Sequence, residues 1–223
     1  MANAVRIMVE RGKKKRSEAC AFDWPGWDRS GKTEQQALEV LETYRPRYAE
    51  VAARAGLGDE FAKAGRFDVI ERLPGIGMTD FYGLSEVPAG PEHDQMTDAE
   101  CERKIALLQA SWAALDEAAA RVSPELRKGP RGGGRERDEI RRHVVGWEIY
   151  DLARKVGVAF DPEIREDPDA LGTYRAAFVA AIGDHNARGV MARTWTVQFL
   201  IRRCAWHMLD HAWEMEDRDL TRS

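Results

Sequence analysis

The 223-residue sequence has no run approaching the ~20 consecutive apolar residues that a membrane-spanning helix requires, and its first residues carry no apolar signal core. A cytoplasmic location is expected. Cysteine is scarce: Cys20, Cys101 and Cys204 are an odd number at wide spacings, which argues against a disulfide framework and a CxxC metal site and fits a reducing compartment. Neither sign of charge dominates. With 34 Lys and Arg against 38 Asp and Glu, the formal charge of -4 gives no net attraction for nucleic acid or anionic lipid. The short basic run Lys13, Lys14, Lys15, Arg16 reads as the solvated tip of a hairpin. What is present is a composition of 43% hydrophobic and 32% charged residues, the balance of a chain with a packed core.

The pattern changes along the chain. Residues 1–72 open with alternating segments around Val5 to Glu10 and Ser17 to Phe22, separated by a charged turn at Gly12, which predicts a hairpin. Asp23-Trp24-Pro25-Gly26-Trp27 breaks the second strand. Thr33 followed by Gln36 is a capping box that opens a helix to about Ala55, with Pro46 kinking it or ending it early. A third strand is expected over Phe67 to Leu73, completing a small two-layer α+β lobe. Residues 73–96, rich in proline and glycine and without periodicity, read as a linker or long ordered loop.

From residue 97 to 223 the pattern is helical. Cys101, Ile105, Leu108, Trp112, Leu115, Ala119 and Val122 recur at helical spacing behind a Thr97 cap. After the break at Gly129-Pro130-Arg131-Gly132-Gly133-Gly134, further helices are predicted over Arg135 to Val156, Asp167 to Ala187 and Thr194 to Arg218. The fold class expected is therefore α+β, a small lobe followed by a four-helix bundle.

Five histidines occur, and two of them share one helix face. His207 and His211 are four residues apart on the stripe that also carries Leu200, Cys204 and Met215, so both imidazoles point into the bundle. A buried imidazole needs a hydrogen-bond partner or a metal, and spacing alone equally allows ordinary core or rim histidines. His143, beside the apolar face of the second bundle helix, is placed to supply a third nitrogen. Three neutral nitrogens would leave coordination positions open, as catalytic sites need. His93 reads as a loop residue, and His185, on the stripe of Tyr174, Phe178 and Ile182, as a rival ligand. Cys204 reads as a small buried hydrophobe, Glu214 as an acceptor behind a histidine, a base or a surface carboxylate, and Arg203 as an anion contact or a solvated charge. Trp147 and Tyr150 share a face with His143 and would wall a pocket.

The strings Gly132-Gly133-Gly134-Arg135, Ile140-Arg141-Arg142-His143-Val144 and Ala205-Trp206-His207-Met208-Leu209-Asp210-His211-Ala212-Trp213-Glu214 resemble the actinobacterial branch of the DinB-like (YfiT-like) metalloenzyme family over roughly Thr97 to Arg218. That resemblance implies a divalent metal held by His143, His207 and His211: zinc foremost, with nickel, iron or manganese as further candidates. Glu214 is the candidate catalytic carboxylate. Asp23-Trp24-Pro25-Gly26-Trp27 and Ser30-Gly31-Lys32-Thr33, with the helix start Glu34 to Leu38, are similar to the HicB-type antitoxin lobe over about Val5 to Ala55. Gly31-Lys32-Thr33 is not a P-loop, since no strand-to-helix turn with the required earlier glycine precedes it.

The function expected from the resemblance is a metal-dependent enzyme that activates a low-molecular-weight thiol such as mycothiol, in the manner of an S-transferase or isomerase, or that activates a water. The competing classes are a noncatalytic, metal-stabilised interaction module and a HicB-like antitoxin or regulator. The partners implied are a small-molecule substrate and, as an option, a second copy of the chain; a membrane is excluded and nucleic acid is disfavoured. Removing residues 1–72 is expected to leave a soluble bundle.

Overall fold

The computed structural model describes residues 3–14, 16–129, 132–159 and 161–221. It is a mixed α+β architecture, with a four-stranded sheet and eight α-helices among the described residues. Lys15 of the basic run, and Pro130 and Arg131 of the glycine-rich break, lie outside those residues.

The sheet forms from β1 (Asn3–Arg11), β2 (Ser17–Cys20), β3 (Asp28–Gly31) and β4 (Ala64–Pro74) in the order β3-β2-β1-β4. The expected hairpin is β1 with antiparallel β2, in the register Met8 opposite Cys20 and Glu10 opposite Glu18. Phe67 to Leu73 lies within β4, which runs parallel to β1 and is longer than its alternation predicted. β3, antiparallel to β2, was not expected: four residues with three polar side chains carry no strand pattern, and pairing alone defines it.

Pro46 ends the first helix as expected. α1 (Glu34–Thr43) stops, and α2 (Arg45–Arg54) begins with the proline in its first turn, where its missing N–H costs nothing. Thr33 caps α1 by accepting from the Gln36 N–H at 3.1 Å, while the Lys32 N–H donates to Gln36 Oε1 at 2.8 Å. A single turn, α3 (Gly58–Phe61), leads into β4. One sheet face, with Val5, Ile7, Val9 and Ala19, packs on Leu41, Tyr48 and Val51 around the buried Trp27. Trp27 donates to the Leu41 carbonyl at 2.9 Å, and Tyr48 donates to the Pro25 carbonyl at 2.9 Å.

The four long helices are α5 (Asp98–Arg121), α6 (Arg137–Trp147), α7 (Pro168–Ala187) and α8 (Val197–Arg218). Leu108 and Leu115, Ile140 and Val144, Phe178 and Ile182, and Leu200, Cys204 and Met208 meet in one core. The expected continuation of α6 to Val156 is instead a π-helical turn, Glu148–Leu152, then a 3-10 turn, Ala153–Val156. Glu148 is fully buried at that turn and pairs with Arg175, which also reaches Asp116 at 2.9 Å.

Residues 73–96 are ordered and packed. After β4, α4 (Gly77–Tyr82) and a 3-10 turn, Gly90–His93, cover the second sheet face, where Glu10 accepts from the Glu86 N–H at 3.0 Å and from Thr79. Arg202 of α8 is wholly buried beneath this segment and binds Glu92 at 2.8 and 3.0 Å, Asp28 at 3.1 Å and the Val87 carbonyl at 3.0 Å. The sheet layer also shares apolar core with the long helices through Leu107, Ala110, Leu209 and Trp213. Gly26, with φ +92°, makes that approach possible: a side chain there would meet Leu209 Cδ1 at 2.7 Å and the Ala205 backbone at 3.1 Å. No helix among the described residues is long and apolar enough to cross a membrane.

Candidate metal centre

α6 and α8 bring His143, His207 and His211 together. Each offers a ring nitrogen, and the three nitrogens lie within 4.8 Å of one another. The ring centroids are 5.0–5.2 Å apart. His207, 8% exposed, turns Nε2 toward His143 Nε2 at 3.3 Å, and its Nδ1 has no partner among the described residues. Trp206 lies nearly parallel to the His207 ring, with the ring centroids 6.1 Å apart.

The surroundings keep two of these rings neutral. Burial, with smaller contributions from Arg135 and His211, pushes the His143 pKa down to about 4. Burial first, then His211 and His143, lowers His207 well below the ordinary imidazole range. At pH 7 both rings therefore present lone pairs rather than positive charge, the state in which imidazole binds a metal. His211 is braced from behind. Its Nδ1–H donates to Glu214 Oε2 at 2.7 Å, which leaves Nε2 as the acceptor nitrogen. Glu214 Oε1 takes Arg218 at 2.5 Å, and Arg218 also donates to the Arg127 and Arg135 carbonyls at 2.8 and 2.9 Å. Burial alone would raise the Glu214 pKa; the His211 hydrogen bond and Arg218 outweigh it and hold the carboxyl below its ordinary value.

The donor set fits a divalent ion. Two neutral imidazoles with facing nitrogens and a third oriented by a carboxylate provide three ligands of the type that zinc and its neighbours take, and the pair of facing Nε2 atoms gives the ion a place between them. The other histidines stand apart: His93 is exposed, and His185 Nδ1 bonds the Ala181 carbonyl of its own helix at 2.9 Å. Cys20, Cys101 and Cys204 are free and buried, and Cys204 lies in the helical core outside the histidine group.

The three histidines line a cavity of about 710 Å³ between the helices, the sheet and the α4 segment. Arg135, Trp147, Arg203, Trp206 and Asp210 line it from the helical part, and Glu18, Arg29, Val40, Tyr82, Leu84 and Glu86 from the rest. Trp147 walls this cavity, and Trp147 and Tyr150 together with His143 wall a neighbouring hollow of about 350 Å³, so both aromatics line a pocket beside His143. Glu18, Arg29 and Glu86 went unnoticed in the sequence because they come from strands and a connecting segment with no motif of their own. No family model matches the chain, and no curated protein or solved structure matches it.

Proposed function

We propose that this chain is a metal-dependent enzyme whose ion is held by His143, His207 and His211 at the floor of the cavity, with a DinB-like arrangement of the four long helices and a HicB-like lobe as the opposite wall. The observation that carries this reading is the convergence of three ring nitrogens within 4.8 Å, two of them on rings kept neutral by burial. Such a set leaves at least one coordination position facing the cavity, which distinguishes it from a closed structural site. When bound, the ion supplies Lewis acidity at that open position, enough to favour the deprotonated form of a thiol or a water near neutral pH.

The chain's own groups then have separate tasks. His211 is aimed by Glu214, whose two oxygens are committed to His211 and Arg218, so Glu214 acts as a positioning residue rather than as a base. Trp206 and Trp147 give the cavity apolar surface beside the histidines. The low-molecular-weight thiol remains the cosubstrate we favour, by analogy with thiol-dependent members of the DinB-like fold, whose actinobacterial branch the histidine strings resemble.

Cobalt substitution tests the reading. A thiol entering the coordination sphere adds an intense thiolate-to-metal band, expected on titration with mycothiol, bacillithiol, glutathione or cysteine and absent in His143→Ala. An unchanged spectrum at saturating concentrations of all four removes the thiol and leaves water activation. A chelator that lowers thermal stability without abolishing any thiol conjugation to a test electrophile would favour the noncatalytic module instead.

A further inference from the structure

The cavity in front of the histidines holds a second constellation. Arg203, 9% exposed, lies one turn before His207 on α8 and lines the cavity, its guanidinium 4.6 Å from the centre of the Trp206 ring. Its single ion pair among the described residues runs from Nη2 to Glu86 at 3.2 Å; Nε and Nη1 are buried with no partner. Glu18, on β2, also lines the cavity. It is fully buried, and neither of its carboxyl oxygens has a partner among the described residues. Arg29, a cation from the sheet that also lines the cavity, lies against the Tyr44 and Trp213 rings and donates through Nη1 to Asp210 and to the Asp28 carbonyl, each at 3.0 Å, with its buried Nε unpartnered among the described residues.

Buried polar groups left without hydrogen bonds are costly, and residues lining this one cavity carry both unpaired guanidinium nitrogens and unpaired carboxyl oxygens. The wall is mixed: Val40, Met78, Leu84 and Trp147 give it apolar surface, and Arg135 and Asp210 add charge beside the histidines. Arginine pairs with carboxylates through two parallel N–H groups, Nη2 together with either Nε or Nη1, and the Trp206 ring lies against the Arg203 guanidinium. We infer that the cavity binds a small molecule with an apolar body, a carboxylate held by Arg203 and a neighbouring N–H or O–H donor held by Glu18. This extends the reading of the same cavity as a substrate site, and it narrows the substrate class to amino- or hydroxy-acid character. Glu86 holds the third guanidinium nitrogen in the meantime and competes with the incoming carboxylate.

Three probes with one apolar body separate the contributions: L-phenylalanine, 3-phenylpropionate, which lacks the amine, and phenethylamine, which lacks the carboxylate. Calorimetric titration uses the full chain stripped of metal by a chelator, so the outcome does not pass through the ion. Phenylalanine and 3-phenylpropionate are expected to bind, the former more tightly, and phenethylamine at least about tenfold more weakly than either. Arg203→Gln should weaken both carboxylates about tenfold or more, and Glu18→Met, which removes both acceptor oxygens, should abolish the advantage of phenylalanine over 3-phenylpropionate. Glu86→Gln keeps Arg203 in place and should tighten 3-phenylpropionate, which tests the idea even where Arg203→Gln fails to fold. Absence of binding by all three probes, equal affinity for phenethylamine and 3-phenylpropionate, or a Glu86→Gln protein with unchanged affinity would overturn the inference. Zinc stoichiometry measured on the same samples keeps the two readings apart: carboxylate binding without zinc uptake removes only the metal, and zinc uptake without carboxylate binding removes only this inference.

Discussion

Glu214 offers the most quantitative handle on the histidine site, because it touches His211 at 2.7 Å yet does not line the cavity. Loss of a carboxylate behind a ligating histidine lowers metal affinity by roughly 10- to 100-fold, or about 1.4–2.7 kcal/mol. The Glu214 side chain is 33% exposed, so solvent screening sets the expectation for Glu214→Ala toward the lower end, about tenfold. Glu214→Gln retains an oxygen that can accept from His211 Nδ1–H and loses only the charge; its affinity should fall between wild type and Glu214→Ala. Arg218 stays anchored in both variants by the Arg127 and Arg135 carbonyls, so the loop ahead of α6 keeps its place. Competition against a chromophoric zinc chelator, with circular dichroism as the folding control, measures the order. Wild-type affinity in Glu214→Ala, or Glu214→Gln weaker than Glu214→Ala, would refute the bracing role.

Arg202→Met should destabilise the protein by about 3–5 kcal/mol in urea titrations, because it leaves Asp28 and Glu92 buried without their cation. Combining it with Asp28→Asn and Glu92→Gln should recover part of that loss; a loss below about 1 kcal/mol would show that the cluster is solvated. Deleting residues 1–72 exposes Leu107, Ala110, Leu209 and Trp213 and removes Asp28 from Arg202, so, against the soluble bundle expected from the sequence, the fragment should aggregate in sedimentation, and a monodisperse fragment would count against the shared core. In metal-stripped protein, the folded His143 pKa near 4 lies below the ordinary 6.5, so the unfolded chain takes up more protons between those values. Stability should therefore fall as pH drops from about 6.5 toward 4, and His143→Ala should flatten that slope in urea midpoints.

The long helices were legible because each carries its own apolar stripe and cap: Thr97 for α5, and the run from Leu200 to Met215 for α8. The histidine group was legible for the same reason, since two of its members sit one turn apart on one stripe. Local signals stop at pairings made by distant residues. β3 has no strand composition and exists because Glu18 and Ala19 of β2 offer it an edge. The π-helical turn after α6 follows from burying Glu148 against Arg175, 27 residues away, which no periodicity encodes. The segment 73–96 read as a connector because its contacts are polar and long-range: Glu92 finds Arg202 across 110 residues. The far cavity wall was illegible on the same ground, because Glu86 pairs with Arg203, and Glu18 shares a cavity with it, only once the sheet is docked on α8. That docking depends on Gly26, whose turn signal was visible and whose partner helix was not.

Metal content of the full chain, purified without a histidine tag and titrated with zinc, tests the central claim most directly. The account predicts one ion per chain for the wild type, a severe loss in His207→Ala and in His211→Ala, and unchanged helical content in both, since the apolar core of α5 to α8 does not depend on the ion. Zinc bound at full occupancy by both variants, or no uptake by the wild-type protein, would contradict it.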